Sequence, residues 1–559
     1  MIKMKKVPCN DNRLAWSVNL LWVALFAVGM WLFMYAMPRY GDDIGYLHLF
    51  HDWYADRGLN DTDEGIGFTS GFPWREIADT WTFRYHDDHA RLAMLVSSPL
   101  LLAPKWVGAT VMTILLMVAF RATLAISGID WRRSALVPLL VVLMAAVLPW
   151  RDGLTELVFQ LNYIPGTAFT MLLLVWLRKR QAYGAAVCMA AFAFGLLAGG
   201  WHEGIALPAG CGLLAVYLLE GKGRDRRTLC AAAGMLTATA LLLAVPGMRA
   251  RMARTDAPGL GPVELIYFIM AAWPCLAVVV WGAVRAISAR LRKAPIDRLI
   301  VFGLVGIMVS LAIALRSGQF LRAGWWAYFM ACVMAVYLLR TGYPAFWSRY
   351  TWRNSAIWAP LLALTFVWLG YVDCYALRIR RIADRQLSEW LVAPGRSRFA
   401  AITQFSDIPA ICGYLPYSGY YTDIYYESLK FCAADPDEFG GYDSLWGVVP
   451  EALRNVADAS GEAVPGGSGV RIKDGYLFMA EDVGMERELR RNDCSVSDWE
   501  MMVDYGSGMR PMRVKQVSFR SEGDGRRYSY FVVGLGWKDA HFRDVRAISP
   551  DMKFMAPDR

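Results

Sequence analysis

Leu14-Ala15-Trp16-Ser17-Val18-Asn19-Leu20-Leu21-Trp22-Val23-Ala24-Leu25-Phe26-Ala27-Val28-Gly29-Met30-Trp31-Leu32-Phe33-Met34-Tyr35-Ala36-Met37 runs without a charged side chain. Pro38-Arg39-Tyr40-Gly41-Asp42-Asp43-Ile44-Gly45-Tyr46 follows it directly. An apolar run of ~17–25 residues is long enough to cross a bilayer as a helix. Two adjacent acids at its exit are unlike ordinary helix anchors, which are Lys, Arg, Trp or Tyr. Neighbouring carboxylates repel each other, which can tune one of them for proton transfer. The plain alternative is a solvated loop.

Similar apolar runs recur along most of the 559 residues. With 56% hydrophobic residues, 23 Trp and 26 Phe, the composition is that of a multi-spanning membrane protein. The net charge of +9 sits in short loops between apolar runs, as the positive-inside rule produces. No nucleic-acid-binding motif accompanies it, and no nucleic acid partner is expected. The first apolar run is too long for a cleavable leader, and no small-residue cleavage site precedes Pro38.

The expected spans are Leu14–Met37, Trp106–Ile126, Ala135–Pro149, Ile164–Leu177, Tyr183–Gly199, Ile205–Leu219, Leu229–Val245, Glu264–Val284, Leu299–Leu315, Gly324–Leu339 and Ile357–Val372. Leu92–Ala103 is short for a crossing and is cut off by Pro104 and Lys105, so it reads as an interfacial or re-entrant helix. That choice places Arg132-Arg133, Arg178-Lys179-Arg180, Lys222–Arg227, Arg285–Arg298 and Arg340–Arg353 on one side. The fold class expected is therefore an α-helical polytopic membrane protein with about eleven transmembrane helices, its N-terminus cytoplasmic. Residues 1–372 form the membrane domain, with a long first outer loop at 39–91.

Residues 373–559 differ in kind and read as a small α/β extracytoplasmic domain. Tyr375–Leu391 has a helical pattern. Met512–Arg520 and Tyr528–Val533, flanking Glu522-Gly523-Asp524-Gly525, read as a β-hairpin. The ten cysteines contain no CxxC pair. Cys188, Cys211, Cys230, Cys275 and Cys332 belong to or border apolar runs and read as packed thiols. Cys374, Cys412, Cys432 and Cys494 permit one or two disulfides of open connectivity.

The same topology gathers acids, histidines and unusual arginines on the outer face. These are Asp42 and Asp43, His86-Asp87-Asp88-His89 with Arg91, Arg151 with Asn162 and Tyr163, His202-Glu203, and Arg316 with Arg322. Asp42 or Asp43 suits a general base or a metal-binding pair. His86 and His89 have a spacing that allows a divalent metal, or a simple exposed turn. His202-Glu203 is half of a zincin motif, but position 206 is Ala, so that reading fails. The outer arginines suit a lipid phosphate or the nearby acids. No Walker A, GxSxG or dinucleotide fingerprint is present.

With Tyr40-Gly41-Asp42-Asp43 opening the loop and His86-Asp87-Asp88-His89-Ala90-Arg91 closing it, the chain resembles the GT-C superfamily of integral-membrane glycosyltransferases. Within that group it is similar to the bacterial glucosyltransferase-like membrane proteins. Relatives often carry Gly where this chain has Ala90. The resemblance implies a bacterial inner-membrane enzyme that takes a sugar from a polyprenyl-phosphate donor. The sugar passes to a glycan, lipid or protein acceptor on the outer face. It implies Asp42, then Asp43, as catalytic base, with Arg91, Arg151, Asn162, Tyr163, His202, Glu203, Arg316 and Arg322 binding substrate. No cofactor is implied, and a divalent metal is allowed. A polysaccharide polymerase or ligase of the same fold, a transporter, and a non-catalytic scaffold are the competing readings.

Overall fold

The computed structural model describes residues 9–37, 43, 46, 73–87, 90–132, 134–179, 184–220, 224–249, 261–317, 320–344, 358–370, 373–374 and 377, together with strand residues between 462 and 548. The chain divides into two compact units, one holding the helices and one the strands.

The helical unit comprises α1 (Cys9–Ala36), α2 (Trp74–Asp87), α3 (Leu92–Leu102), α4 (Lys105–Ile126), α5 (Leu136–Val147), α6 (Trp150–Leu154) and α7 (Leu157–Arg178). It continues with α8 (Ala185–Gly199), α9 (Glu203–Leu219), α10 (Arg226–Ala244), α11 (Pro262–Leu291), α12 (Arg298–Ser317), α13 (Trp325–Gly342) and α14 (Ala359–Gly370). Among the described residues, six helices are long and apolar enough to cross a membrane, and five shorter ones are also apolar. This is the make-up of a helical membrane protein. Exposed apolar side chains such as Ile266, Trp273, Val280 and Ile287 on α11 suit contact with lipid.

Contacts between helix ends give the unit two distinct ends. At one, Lys105 of α4 donates to the Met37 carbonyl beyond α1. At the other, basic side chains close the C-terminal turns. Arg178 and Arg340 donate to the Ile126 and Ser127 carbonyls at the end of α4. Arg227 donates to Lys179 O (2.9 Å) at the end of α7. A helix leaves its last carbonyls unpaired with a partial negative charge there, so a cation is the matching cap. The basic loops noted in the sequence thus have a second use as helix caps.

Helix α13 is the centre. Trp325, Trp326, Tyr328 and Phe329 are all fully buried, as suits a helix apolar on every side. Two spans depart furthest from the sequence reading. Helix α7 begins at Leu157, not Ile164, and carries Gln160 and Asn162 inside its first two turns. Helix α11 runs on to Leu291, well past Val284.

In the strand unit, β1 (Glu462–Ala463), β2 (Val470–Lys473), β3 (Tyr476–Ala480), β7 (Arg527–Gly534) and β6 (Lys515–Arg520) form an antiparallel sheet in the order β1-β2-β3-β7-β6. A second sheet has the order β5-β4-β8, from β4 (Glu500–Asp504), β5 (Met509–Arg513) and β8 (Asp544–Ile548). β6 and β7 pair with Arg520 opposite Arg527. The expected single strand Met512–Arg520 is split: residues up to Arg513 pair with β4, and Lys515 onward with β7. Pro511 lacks an N–H to donate and lies on the edge strand β5, where that is tolerated. Of the expected helix Tyr375–Leu391, all but Leu377 lies outside the described residues, as do Cys412, Cys432 and Cys494.

Candidate functional site

Asp43, Asn162, Tyr163, His202 and Arg322 gather around the first two turns of α7. Asp43 is 2% exposed. Its Oδ2 accepts from Leu157 N (3.0 Å) and its Oδ1 from Val158 N (2.9 Å). The residue at the helix start, Glu156, makes no side-chain cap of its own. Asp43 therefore caps α7 from the far end of the first loop, satisfying two unpaired N–H groups and facing the positive end of the helix dipole. Gln160 Nε2 adds a bond to Leu154 O (2.7 Å). These contacts explain why α7 starts seven residues early despite its polar opening. A small pocket opens beside the cap, lined by Met34, Met37, Asp43, Lys105, Thr155 and Gln160.

One turn further along α7, Tyr163 meets two aromatic neighbours. Its ring centroid is 4.8 Å from His202 and 5.6 Å from Trp325. Trp325 Nε1 donates to Thr167 Oγ1 (3.1 Å), which fixes the indole. His202 is the N-cap of α9, its Nδ1 accepting from Gly204 N (2.9 Å). Accepting at Nδ1 leaves Nε2 as the ring position free to carry the proton of a neutral imidazole. Arg322 stacks over Phe159, with its guanidinium carbon 4.4 Å from the ring centroid. Cation–π contact and half-burial hold this arginine beside the start of α7.

Glu203, the first residue of α9, binds Arg91 through a two-point fork: Nε to Oε2 at 2.9 Å, and Nη2 to Oε1. The Arg91 guanidinium is thus paired with a carboxylate. The adjoining Leu92 N donates to Gly200 O (2.9 Å), tying the start of α3 to the turn before α9.

Asn162 is 4% exposed, and its Oδ1 meets no donor among the described residues. Arg316 is exposed in the last turn of α12, and no contact joins it to this cluster among the described residues. Arg151 lies in α6, but its side chain is outside the described residues, as are Asp42, Asp88 and His89. His86 is exposed at the end of α2. Among the described residues no three His, Cys, Asp or Glu side chains gather as a metal site.

The N-termini of α7, α9 and α13 meet here, and each projects partial positive charge. Asp43 and Glu203 answer two of them. Both carboxylates accept a hydrogen bond at each oxygen, which holds them in place. The sequence reading missed Phe159, Thr167 and Trp325, which carry no motif and look like ordinary span residues. It also missed Lys105, whose only signal was its place after Pro104.

A scan against protein-family models gives no match to this chain, and a search of curated proteins gives none.

Proposed function

We propose that the protein is a membrane glycosyltransferase that moves a sugar from a lipid-phosphate donor to a hydroxyl acceptor. The observation that carries this reading is Asp43. Buried and locked onto the start of α7, it anchors the acidic loop beside the Arg322–Phe159 and His202–Tyr163–Trp325 contacts. The neighbouring acid, Asp42, is then the base. In the reaction, the acceptor hydroxyl gives its proton to the Asp42 carboxylate as its oxygen bonds to the anomeric carbon. The bond from that carbon to the donor phosphate oxygen breaks, and the lipid phosphate leaves with the electron pair. Arg322, held over the Phe159 ring beside the start of α7, is the cation placed to steady the developing phosphate charge. Asn162, with its unmet Oδ1, suits a hydroxyl donor of the substrate.

The reading also takes about eleven crossings, an N-terminus in the bacterial cytoplasm, and residues 373–559 as an α/β domain outside. The test is transfer of labelled sugar from polyprenyl-phosphate donors by protein reconstituted in vesicles. Asp42→Asn is expected to lower turnover at least a hundredfold with unchanged folding. Full turnover by that variant removes the base and the reading with it.

A further inference from the structure

Helices α8 and α10 touch backbone to backbone. A Cβ added to Gly195 would lie 2.4 Å from Ala231 O, and one on Gly234 would lie 2.2 Å from Phe192 O. One on Gly199 would lie 2.8 Å from the Ala238 Cβ. Gly195 meets Ala231 and, four residues on, Gly199 meets Met235, so the seam is parallel. Cys188 is one turn before Phe192, and Cys230 is one turn before Gly234. In a parallel seam, stepping back one turn on both helices leads from one contact to the next. The Phe192–Gly234 contact therefore implies a Cys188–Cys230 contact, and the two thiols are near neighbours. Both are free and half-buried. A disulfide needs Cα atoms about 4.4–6.8 Å apart, which only closely packed helices offer.

We infer that Cys188 and Cys230 form a modification site, a dithiol that hydrogen peroxide closes into a disulfide joining α8 to α10. One sulfur attacks the peroxide, the O–O bond breaks, one water leaves, and a sulfenic acid remains. The second sulfur displaces the sulfenic oxygen as another water, and the S–S bond forms. Two thiols lose two electrons and two protons, and hydrogen peroxide becomes two waters. Cys275 and Cys332 also approach each other across α11 and α13, but they are fully buried and out of reach of the oxidant. Cys374 is exposed and has no described cysteine beside it.

The test treats the full-length protein in detergent with hydrogen peroxide, then denatures it, alkylates it with N-ethylmaleimide and maps the peptides. Expected is a dithiothreitol-reversible Cys188–Cys230 link with both of these thiols lost to alkylation, while Cys275 and Cys332 stay alkylatable. Cys188→Ser should leave Cys230 as a sulfenic acid trapped by dimedone. In case that variant folds poorly, the untreated wild type is probed with a monoarsenical that bridges adjacent dithiols, and a bridge across the same pair is expected. The proposal is overturned if Cys188 and Cys230 remain alkylated at a peroxide dose that oxidises Cys374. It is equally overturned if their links go to other cysteines, or if the arsenical does not bridge them.

Discussion

Arg91 and Glu203, far apart in the chain, face each other as a fork, with Nε donating to Oε2 at 2.9 Å and Nη2 donating to Oε1. The pair ties the end of the acidic loop to the start of α9. Its two side chains are only 9% and 21% exposed. Removing one member of such a pair leaves the other charge poorly solvated, at a cost of about 3 kcal/mol. Arg91→Ala and Glu203→Ala should each lower the melting temperature in detergent clearly. The double variant should be more stable than either single one, because no lone charge remains. Arg91→Lys should rescue little, since an ammonium lacks the planar fork. Additive losses in the double variant would mean that the two residues act separately.

Asp42 and Asp43 should separate cleanly. Asp43→Ala removes the cap of α7 and should cost about 1–2 kcal/mol, with faster hydrogen exchange at the amides of residues 157–163. Asp42→Asn should leave that exchange unchanged. If the two variants exchange alike, the two adjacent acids do not divide the tasks of capping and proton transfer.

The division between what could be read and what could not follows from distance along the chain. Helices α1, α4 and α12 were legible because an apolar run of spanning length needs no partner to be recognised. The start of α7 was hidden because its cap comes from Asp43, 114 residues upstream, and pattern reading sees only local caps. Arg91 stood out as an arginine before an apolar segment. Its commitment to Glu203, 112 residues away, carried no local sign. The single strand expected over Met512–Arg520 fails for the same reason. Alternation along a strand shows a face but not which neighbour pairs with it, and the two halves join different sheets.

The turn after α4 offers a test of the basic end. Gly128 has φ +63°, and an added Cβ would lie 2.0 Å from the Arg340 Nη1. Gly128→Ala should therefore carry backbone strain of about 1 kcal/mol and also displace Arg340 from the Ser127 carbonyl. Arg340→Ala alone loses a charged hydrogen bond, about 1.5–3 kcal/mol. Combined, the two should cost less than their sum, since the new methyl fills space the arginine has left. Strict additivity in unfolding experiments would show that the two do not share that space.

Asp373, just beyond α14, is 4% exposed, and its Oδ1 has no hydrogen-bond donor among the described residues. Burial pushes its carboxyl up to about 7. Below pH ~4 the group is protonated in both folded and unfolded chains and has no effect on stability. Between pH ~4 and 7 the unfolded chain releases the proton and the folded one retains it, so stability falls as pH rises. Above 7 the deficit is constant, at most about 4 kcal/mol. Asp373→Asn should match the parent protein at pH 4 and exceed it at pH 8, with a flatter slope between. Melting curves that stay parallel across that range would show that Asp373 keeps its charge in the folded chain.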